Sequence, residues 1–133
     1  MSKKRHIILI PVYNDEMSLN KLLQNIDRHL ETLSGFETEI LILDDKSAKK
    51  INLRSNKFKN FEKIAILRVK ENIGSQKVIV VGLNYLKDIK ENFFVTIMDS
   101  DGEDNPIEIS RMLALALKNS DSVITSNRKS RSE

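Results

Sequence analysis

Short apolar runs alternate along the chain with longer segments of helical periodicity. The first run, His6–Val12, is continuous and rich in β-branched residues, as is typical of a strand buried on both faces. Further strands are predicted at 38–45, 63–69, 92–99 and 121–126. Because parallel strands need crossover connections, this alternation predicts an α/β domain with a Rossmann-like, mostly parallel sheet and helices on both faces.

Three helices are predicted between these strands. In the first, leucine and isoleucine recur at helical spacing and Gly35 lies just past the end; the apolar positions are Leu19, Leu22, Leu23, Ile26, Leu30 and Leu33. The second spans 74–89. The third opens at Asn105 and Pro106 with Glu108 three residues after Asn105, which predicts a capping box with proline at the first helical position. Its core-facing residues are predicted to be Ile109, Met112, Leu113 and Ala116.

Right-handed crossovers predict the strand order 3-2-1-4-5. In that order the chain changes direction across the sheet between strands one and four, and ligands bind outside the carboxyl ends of strands at such a point. Polar clusters follow strands one, two and four: PVYND, DDKS and DSDGED. The sequence therefore predicts one site where these clusters converge.

The composition limits the classes of protein and of binding partner that fit this sequence. The 133 residues, 40% hydrophobic and 31% charged, predict a single soluble domain over 1–133. The absence of cysteine excludes a disulfide framework and a thiol nucleophile. No apolar run approaches the roughly 20 residues of a membrane helix. The net charge is +3, but with two tyrosines, five phenylalanines and no tryptophan, solvated lysines are a better interpretation than a nucleic-acid surface.

The acidic cluster after strand four predicts a metal site. Asp99 and Asp101 are two apart and point the same way in extended chain. Magnesium takes one or two carboxylates together with substrate phosphates, so this pair suits a metal–diphosphate complex that Glu103 can also reach. The alternative is that Asp104 or Asn105 only caps the next helix, with the other carboxylates solvated.

The acidic pair after strand two suggests a different task. A carboxylate only accepts hydrogen bonds, so Asp44 and Asp45 suit a base edge with N–H donors, as in uracil or guanine. The alternative is a turn or a helix cap. Tyr13 and Asn14 are candidates to line the same pocket, and Asn14 or Asp15 is equally suited to cap the first helix.

Two glycines in the second helical segment, Gly74 and Gly82, are eight residues apart and lie on a similar face. They permit close approach either to phosphate or to the sheet, or they are a turn glycine and a packing glycine. No role is assigned to His6 or His29.

Four segments in this order and spacing, IPVYND, LDDKS, NIGSQKVIVVG and MDSDGEDNP, resemble the N-terminal half of family 2 glycosyltransferases with the GT-A fold. Within that family the chain is most similar to polyprenyl-phosphate sugar transferases of the dolichol-phosphate mannose synthase type. The resemblance implies nucleotide-sugar contacts for one set of residues: Pro11, Tyr13, Asp15, Asp44, Asp45, Asn72, Gly74, Asp99, Ser100 and Arg128. It implies metal ligation by Asp99, Asp101 and Glu103, and it places Arg131 as an alternative phosphate ligand.

The chain departs from the family pattern mildly at Asp15, where glutamate is usual, and more clearly at Lys46. Lys46 stands where the family has glycine, which raises the question of how the loop there is shaped.

The resemblance implies transfer of a hexose, with inversion, from a UDP- or GDP-sugar to an acceptor such as a polyprenyl phosphate, with Mg²⁺ or Mn²⁺ as cofactor. It implies a cytoplasmic protein that works at the inner face of a membrane. It also implies that the acceptor half of the site lies beyond residue 133, so that the chain is a fragment or a truncated donor-binding protein, with its catalytic residues and oligomeric state unassigned. A receiver-like phospho-signalling domain is the alternative from another class.

Overall fold

The computed structural model describes residues 3–54, 57–101, 105–119 and 123. Four strands and three helices alternate along this part of the chain: β1 (Lys4–Val12), α1 (Glu16–Leu30), β2 (Phe36–Asp44), β3 (Phe61–Arg68), α2 (Ser75–Leu86), β4 (Phe93–Ile97) and α3 (Glu108–Lys118).

The strands form one parallel sheet in the order β3-β2-β1-β4. The Rossmann-like α/β class and the predicted order of the first four strands are therefore confirmed. The described residues contain four strands and not five, since the predicted strand 121–126 lies outside them apart from Val123. The change of chain direction falls between β1 and β4, where the site was predicted.

The central strands bury both of their faces, as their continuous apolar sequences predicted. Ile8 and Ile10 of β1 pack in one core cluster with the apolar stripes of α1 and α3. Ile7 and Leu9, the alternate residues, pack on the opposite face with Val78 of α2. Helices on both faces thus cover the sheet. β4, which is an edge strand in the described sheet, is only half-buried, and Ile97 at its end is 45% exposed.

The third helix begins differently from its prediction. Asn105–Ile107 forms a turn, α3 starts at Glu108, and no side chain caps it. The Asn105 side-chain oxygen accepts the Ile107 N–H at 3.1 Å, two residues on, and the Glu108 carboxylate pairs with Arg111. Local side-chain bonds of this kind compete with a capping box for the same groups, so that prediction is wrong.

Gly82 faces the sheet, which decides between the two roles predicted for it, contact with phosphate and packing. A Cβ added to Gly82 would lie 2.8 Å from Leu43 Cδ1, so the missing side chain lets α2 press against β2. Gly82 is therefore a packing glycine. Gly74 has φ of 92° and stands immediately before α2. That backbone conformation favours glycine because other residues meet a steric penalty there.

His6 lies fully buried in the middle of the sheet. Its Nδ1 is 2.9 Å from Thr38 Oγ1 on β2, and its Nε2 is 2.7 Å from Thr96 Oγ1 on β4. Burial lowers the pKa of His6 from its ordinary 6.5 to about 4, because a charged imidazole would lose its hydration there. Both ring nitrogens are satisfied, so His6 is a structural residue of the core.

Candidate functional site

A cavity of about 240 Å³ lies at the carboxyl edge of the sheet, between the loops that follow β1 and β4. Eight residues line it: Pro11, Val12, Tyr13, Asp45, Ser75, Asp99, Ser100 and Asp101. Six of these were predicted site residues, and the end of β1 and the loops after β1, β2 and β4 bring them together. Val12 and Ser75 were not predicted, although a serine at the start of a helix after a glycine is a recognisable signal for a phosphate-facing position.

A larger cavity, of about 340 Å³, lies between α1 and the segment 57–60, away from this edge. It contains none of the predicted site residues. The Asp27 carboxylate there accepts the backbone N–H groups of Lys59 (3.2 Å) and Asn60 (2.8 Å), so it fastens the chain entering β3 to α1. Asp27 is thus a structural residue, and because this cavity contains none of the predicted site residues we take the cavity at the sheet edge as the candidate site.

The loop after β1 is joined to the loop after β2. Asn14 donates its backbone N–H to Ser47 Oγ at 3.0 Å, and its side-chain oxygen accepts the Ala48 N–H at 2.7 Å. Asn14 itself has φ of 51°, a left-handed conformation that asparagine tolerates better than most residues. The prediction that Asn14 or Asp15 caps α1 through its side chain is not met, since no side-chain bond caps this helix. Asp15 is half-buried and does not line the cavity.

Lys46, which stands where the resembling family has glycine, has a left-handed backbone conformation. Its φ is 65°, so the loop keeps a glycine-type turn at the cost of strain in a residue with a side chain. The same loop is held from the side of β3, where Arg68 Nη2 donates to the Ser47 carbonyl oxygen at 2.7 Å. A site role for Arg68 was not predicted. The signal available in the sequence was a cation at the end of β3, the strand that follows the Asp44–Asp45 pair.

Asp44 and Asp45 are adjacent and both buried, yet they have different partners. Asp44 accepts the Ser47 N–H at 2.9 Å through Oδ1, and its Oδ2 lies 3.6 Å from Arg68 Nε. Asp44 therefore shapes its own loop and does not line the cavity. Asp45 lines the cavity and also holds the segment before α2, through Asn72 and Gly74. Asn72 and Gly74 were predicted site residues; they do not line the cavity themselves, but both contact Asp45, which does.

Asp99 and Asp101 are exposed side chains on the cavity wall, and Ser100 between them is 7% exposed. Together with Asp45 they give the wall three carboxylates, and no lysine or arginine is among the described residues that line it. Such a wall attracts cations and repels a bare diphosphate. In the described part of the chain, no group of three or more histidine or acidic side chains is close enough to hold a metal ion by itself.

Several predicted residues lie outside the described part of the chain: Glu103, Asp104, Arg128 and Arg131. Their contacts with the cavity stay predictions, as do the binding roles of the residues that the structure does place there.

The family of this chain is established by its match to a protein-family model. A family model described as glycosyl transferase family 2 matches residues 7–133. This chain belongs to glycosyl transferase family 2. Membership implies glycosyl transfer from a nucleotide-sugar donor, and residues from each of the four segments that resemble the family line the cavity described above.

The three described helices of this family 2 chain are 15, 12 and 11 residues long. Within the described residues, none combines the length and the apolar character needed to cross a bilayer.

Proposed function

We propose that this chain forms the donor side of an inverting glycosyltransferase that takes a hexose from a nucleotide-diphosphate sugar. The proposed acceptor is a lipid phosphate of the polyprenyl type, which would place the protein in the cytoplasm at the inner face of a membrane. The observation that carries the donor proposal is the convergence of Asp45, Asp99 and Asp101 on one cavity at the switch point between β1 and β4.

A divalent cation fits the donor set. Asp99 and Asp101 are exposed on the cavity wall, and a hard cation such as Mg²⁺ or Mn²⁺ takes carboxylate oxygens and keeps further positions for phosphate and water. Two protein carboxylates are enough when the diphosphate supplies the remaining ligands, which is compatible with the absence of a three-ligand group in the described residues. Glu103 is proposed as a third ligand. When bound, the ion would neutralise charge that develops on the departing diphosphate.

The chain's own residues have the following proposed tasks. Asp45 accepts an N–H of the base, Tyr13 packs at the mouth of the cavity where it is 52% exposed, and Ser75 presents the N-terminal end of α2. A helix N-terminus favours negative charge, so α2 is oriented to support an anionic group in this cavity. A phosphate acceptor is already anionic at neutral pH, so its attack needs no strong general base.

The alternative function was a receiver-like phospho-signalling domain. It shares only the α/β fold class with this chain, and a shared fold does not imply a shared function. The match to a glycosyltransferase family favours the transferase. The same structure contains no described feature that favours the receiver-like domain. The family assignment leaves two possibilities for the chain itself, an active transferase and a non-catalytic donor-binding protein.

The donor proposal is tested by ligand-induced changes in Tm. The melting temperature is measured with Mn²⁺, with UDP or GDP, and with both together, and we expect a rise of several degrees that requires metal and nucleotide together. Asp101→Asn should abolish the rise. Asp88→Asn is the matched control, since Asp88 is an exposed carboxylate just past the C-terminal end of α2. If metal and nucleotide together leave the melting temperature of the wild-type chain unchanged, the donor proposal fails.

Transfer is tested separately by mass spectrometry. The chain is incubated with UDP- and GDP-hexoses and a polyprenyl phosphate, and formation of glycosylated lipid together with nucleoside diphosphate is measured. Donor binding without any consumption of sugar nucleotide would contradict transfer and leave the donor-binding protein as the function.

A further inference from the structure

The Asp45 carboxylate is tied to the segment that precedes α2. Oδ1 accepts the Ile73 N–H at 2.8 Å, and Oδ2 accepts both the Gly74 N–H at 2.8 Å and the Asn72 side-chain amide at 3.1 Å. The Asn72 amide also donates to the Asp45 carbonyl oxygen at 3.0 Å. The residue is 3% exposed and yet lines the cavity, so little of it is available to a ligand.

The Asp45 carboxylate has few hydrogen-bond acceptor positions left for a ligand. An ionised carboxylate has about four lone-pair positions, two on each oxygen. On Asp45 both positions of Oδ2 are occupied, by Gly74 and Asn72, and one position of Oδ1 is occupied by Ile73. Among the described residues, none occupies the second position of Oδ1, and this is the position that a ligand can use.

Asp44 does not supply a second acceptor in the cavity. It is 1% exposed, its Oδ1 is bonded to the Ser47 N–H, and it is not part of the cavity wall. Its Oδ2 faces Arg68, on the side of β3. The acidic pair that the sequence offers for a base edge is thus reduced to a single acceptor position on one residue.

The two candidate bases differ in how many donors they present. Uracil has one N–H, at N3, between two carbonyl oxygens, and this donor needs a single acceptor. Guanine has two adjacent donors, at N1 and at the exocyclic N2, and a carboxylate pairs with both only when each of its oxygens is free to accept one. On Asp45 the second guanine donor would meet Oδ2, whose positions Gly74 and Asn72 already fill. A buried donor without a partner lowers affinity substantially.

We propose that Asp45 makes this site selective for a base with a single imide N–H, and hence for a uridine over a guanosine diphosphate sugar. Asn72 and Gly74 act as positioning residues that set this selectivity by occupying Oδ2. Thymine presents the same edge as uracil and is accepted on the same grounds. The inference rests on the proposed function, because it takes the cavity to be a nucleotide-sugar site.

The test is isothermal titration of the full chain with UDP, dTDP and GDP in the presence of Mn²⁺. We expect a Kd for UDP that is at least about tenfold lower than for GDP, the effect of one unpaired donor against a charged acceptor. In Asn72→Ala the second position on Oδ2 becomes free, so the ratio of the GDP to the UDP Kd should fall several-fold. Asn72 is exposed, which favours folding of this variant, and Asn25→Ala, an exposed asparagine on α1, is the control whose ratio should stay at the wild-type value.

The outcomes separate this inference from the proposed function. GDP binding as tightly as UDP overturns the selectivity and leaves the donor site standing. Binding of no nucleotide overturns both. A wild-type preference for UDP that persists unchanged in Asn72→Ala overturns the role of Asn72, since the freed position on Oδ2 would then make no difference. The comparison of nucleotides on the wild-type chain decides the selectivity even if the variant does not fold.

Discussion

The side-chain oxygen of Asn14 accepts the backbone N–H of Ala48 at 2.7 Å and so joins the loop after β1 to the loop after β2. Both loops contain a residue in a left-handed conformation, Asn14 at φ 51° and Lys46 at φ 65°. Backbone strain of this kind persists where surrounding contacts hold it, and it is concentrated at functional sites. The bond between the loops is therefore part of what shapes one wall of the candidate site.

We predict that Asn14→Ala lowers the free energy of unfolding by about 2 kcal/mol, about half from the lost hydrogen bond and half from alanine's penalty at positive φ. Asn14→Gly loses the same hydrogen bond but adopts the conformation freely, so its loss should be smaller, about 1 kcal/mol. Urea denaturation of both variants measures the difference. Equal losses would mean that the left-handed conformation contributes nothing to stability.

Arg68 is expected to stabilise the loop after β2 from the other side. Removing it in Arg68→Ala takes a donor from the Ser47 carbonyl oxygen and leaves the buried Asp44 carboxylate without its nearby cation. We predict a loss of about 1–2 kcal/mol, reduced by solvent screening because the Arg68 side chain is 40% exposed.

The matched control is Lys63→Ala, which removes an exposed cation from the same strand. Arg68→Lys should lie between the two, because a lysine keeps the charge but lacks the planar guanidinium whose separate nitrogens face the Ser47 carbonyl oxygen and Asp44. Chemical denaturation of the three variants gives the order, and a control as unstable as Arg68→Ala would refute the specific role of the guanidinium.

Gly82 provides a test of packing between α2 and the sheet. Gly82→Ala gains about 1 kcal/mol of helix propensity but places a methyl group against Leu43, where overpacking costs about 1–3 kcal/mol. Because the closest atoms belong to the end of a leucine side chain, we expect a net loss of about 1 kcal/mol for alanine and a larger loss for valine.

A double-mutant cycle with Leu43→Val identifies the cause. The penalty of Gly82→Ala should shrink when the leucine is shortened, since the contact at 2.8 Å then disappears. Additive effects of the two substitutions would show that α2 does not press on Leu43.

Because His6 is buried in its neutral form, we predict that the free energy of unfolding decreases in acid. Its pKa is about 4 in the folded chain and near its ordinary 6.5 in the unfolded chain, so the unfolded state binds the proton more tightly. The stabilisation is complete above pH 6.5 and is lost as pH falls from there to about 4, and its total is about 3 kcal/mol. The free energy of unfolding should therefore decline across this interval by more than in a variant without the imidazole.

The measurement compares wild type with His6→Gln from pH 7.5 to 4, and the difference between the two curves isolates His6 from the carboxylates. His29→Gln is the control, because His29 is the other histidine of the chain. If the wild-type and His6→Gln curves stay parallel, the neutral buried imidazole does not account for acid sensitivity.

Much of the fold follows from local patterns. The β-branched apolar runs predict β1 and β2, the leucine spacing predicts α1, and the rule for right-handed crossovers predicts the order of the first four strands. An error falls where short-range alternatives compete, because Asn105 forms a local turn and does not cap α3. The first residue of a helix depends on which of several nearby N–H groups bonds to the side chain that precedes it.

The site divides in the same way. Sequence alone determined which residue types follow which strand, and so brought Asp45, Asp99 and Asp101 to one edge, because the carboxyl ends of parallel strands share an edge. Only the tertiary structure decided what those carboxylates have left to offer. Asp44 and Asp45 are neighbours in sequence, but one turns to its own loop and Arg68 while the other is bonded to Asn72, Ile73 and Gly74. The physical reason is that hydrogen-bond capacity is finite, and partners that are mostly more than 20 residues away in sequence take up most of it.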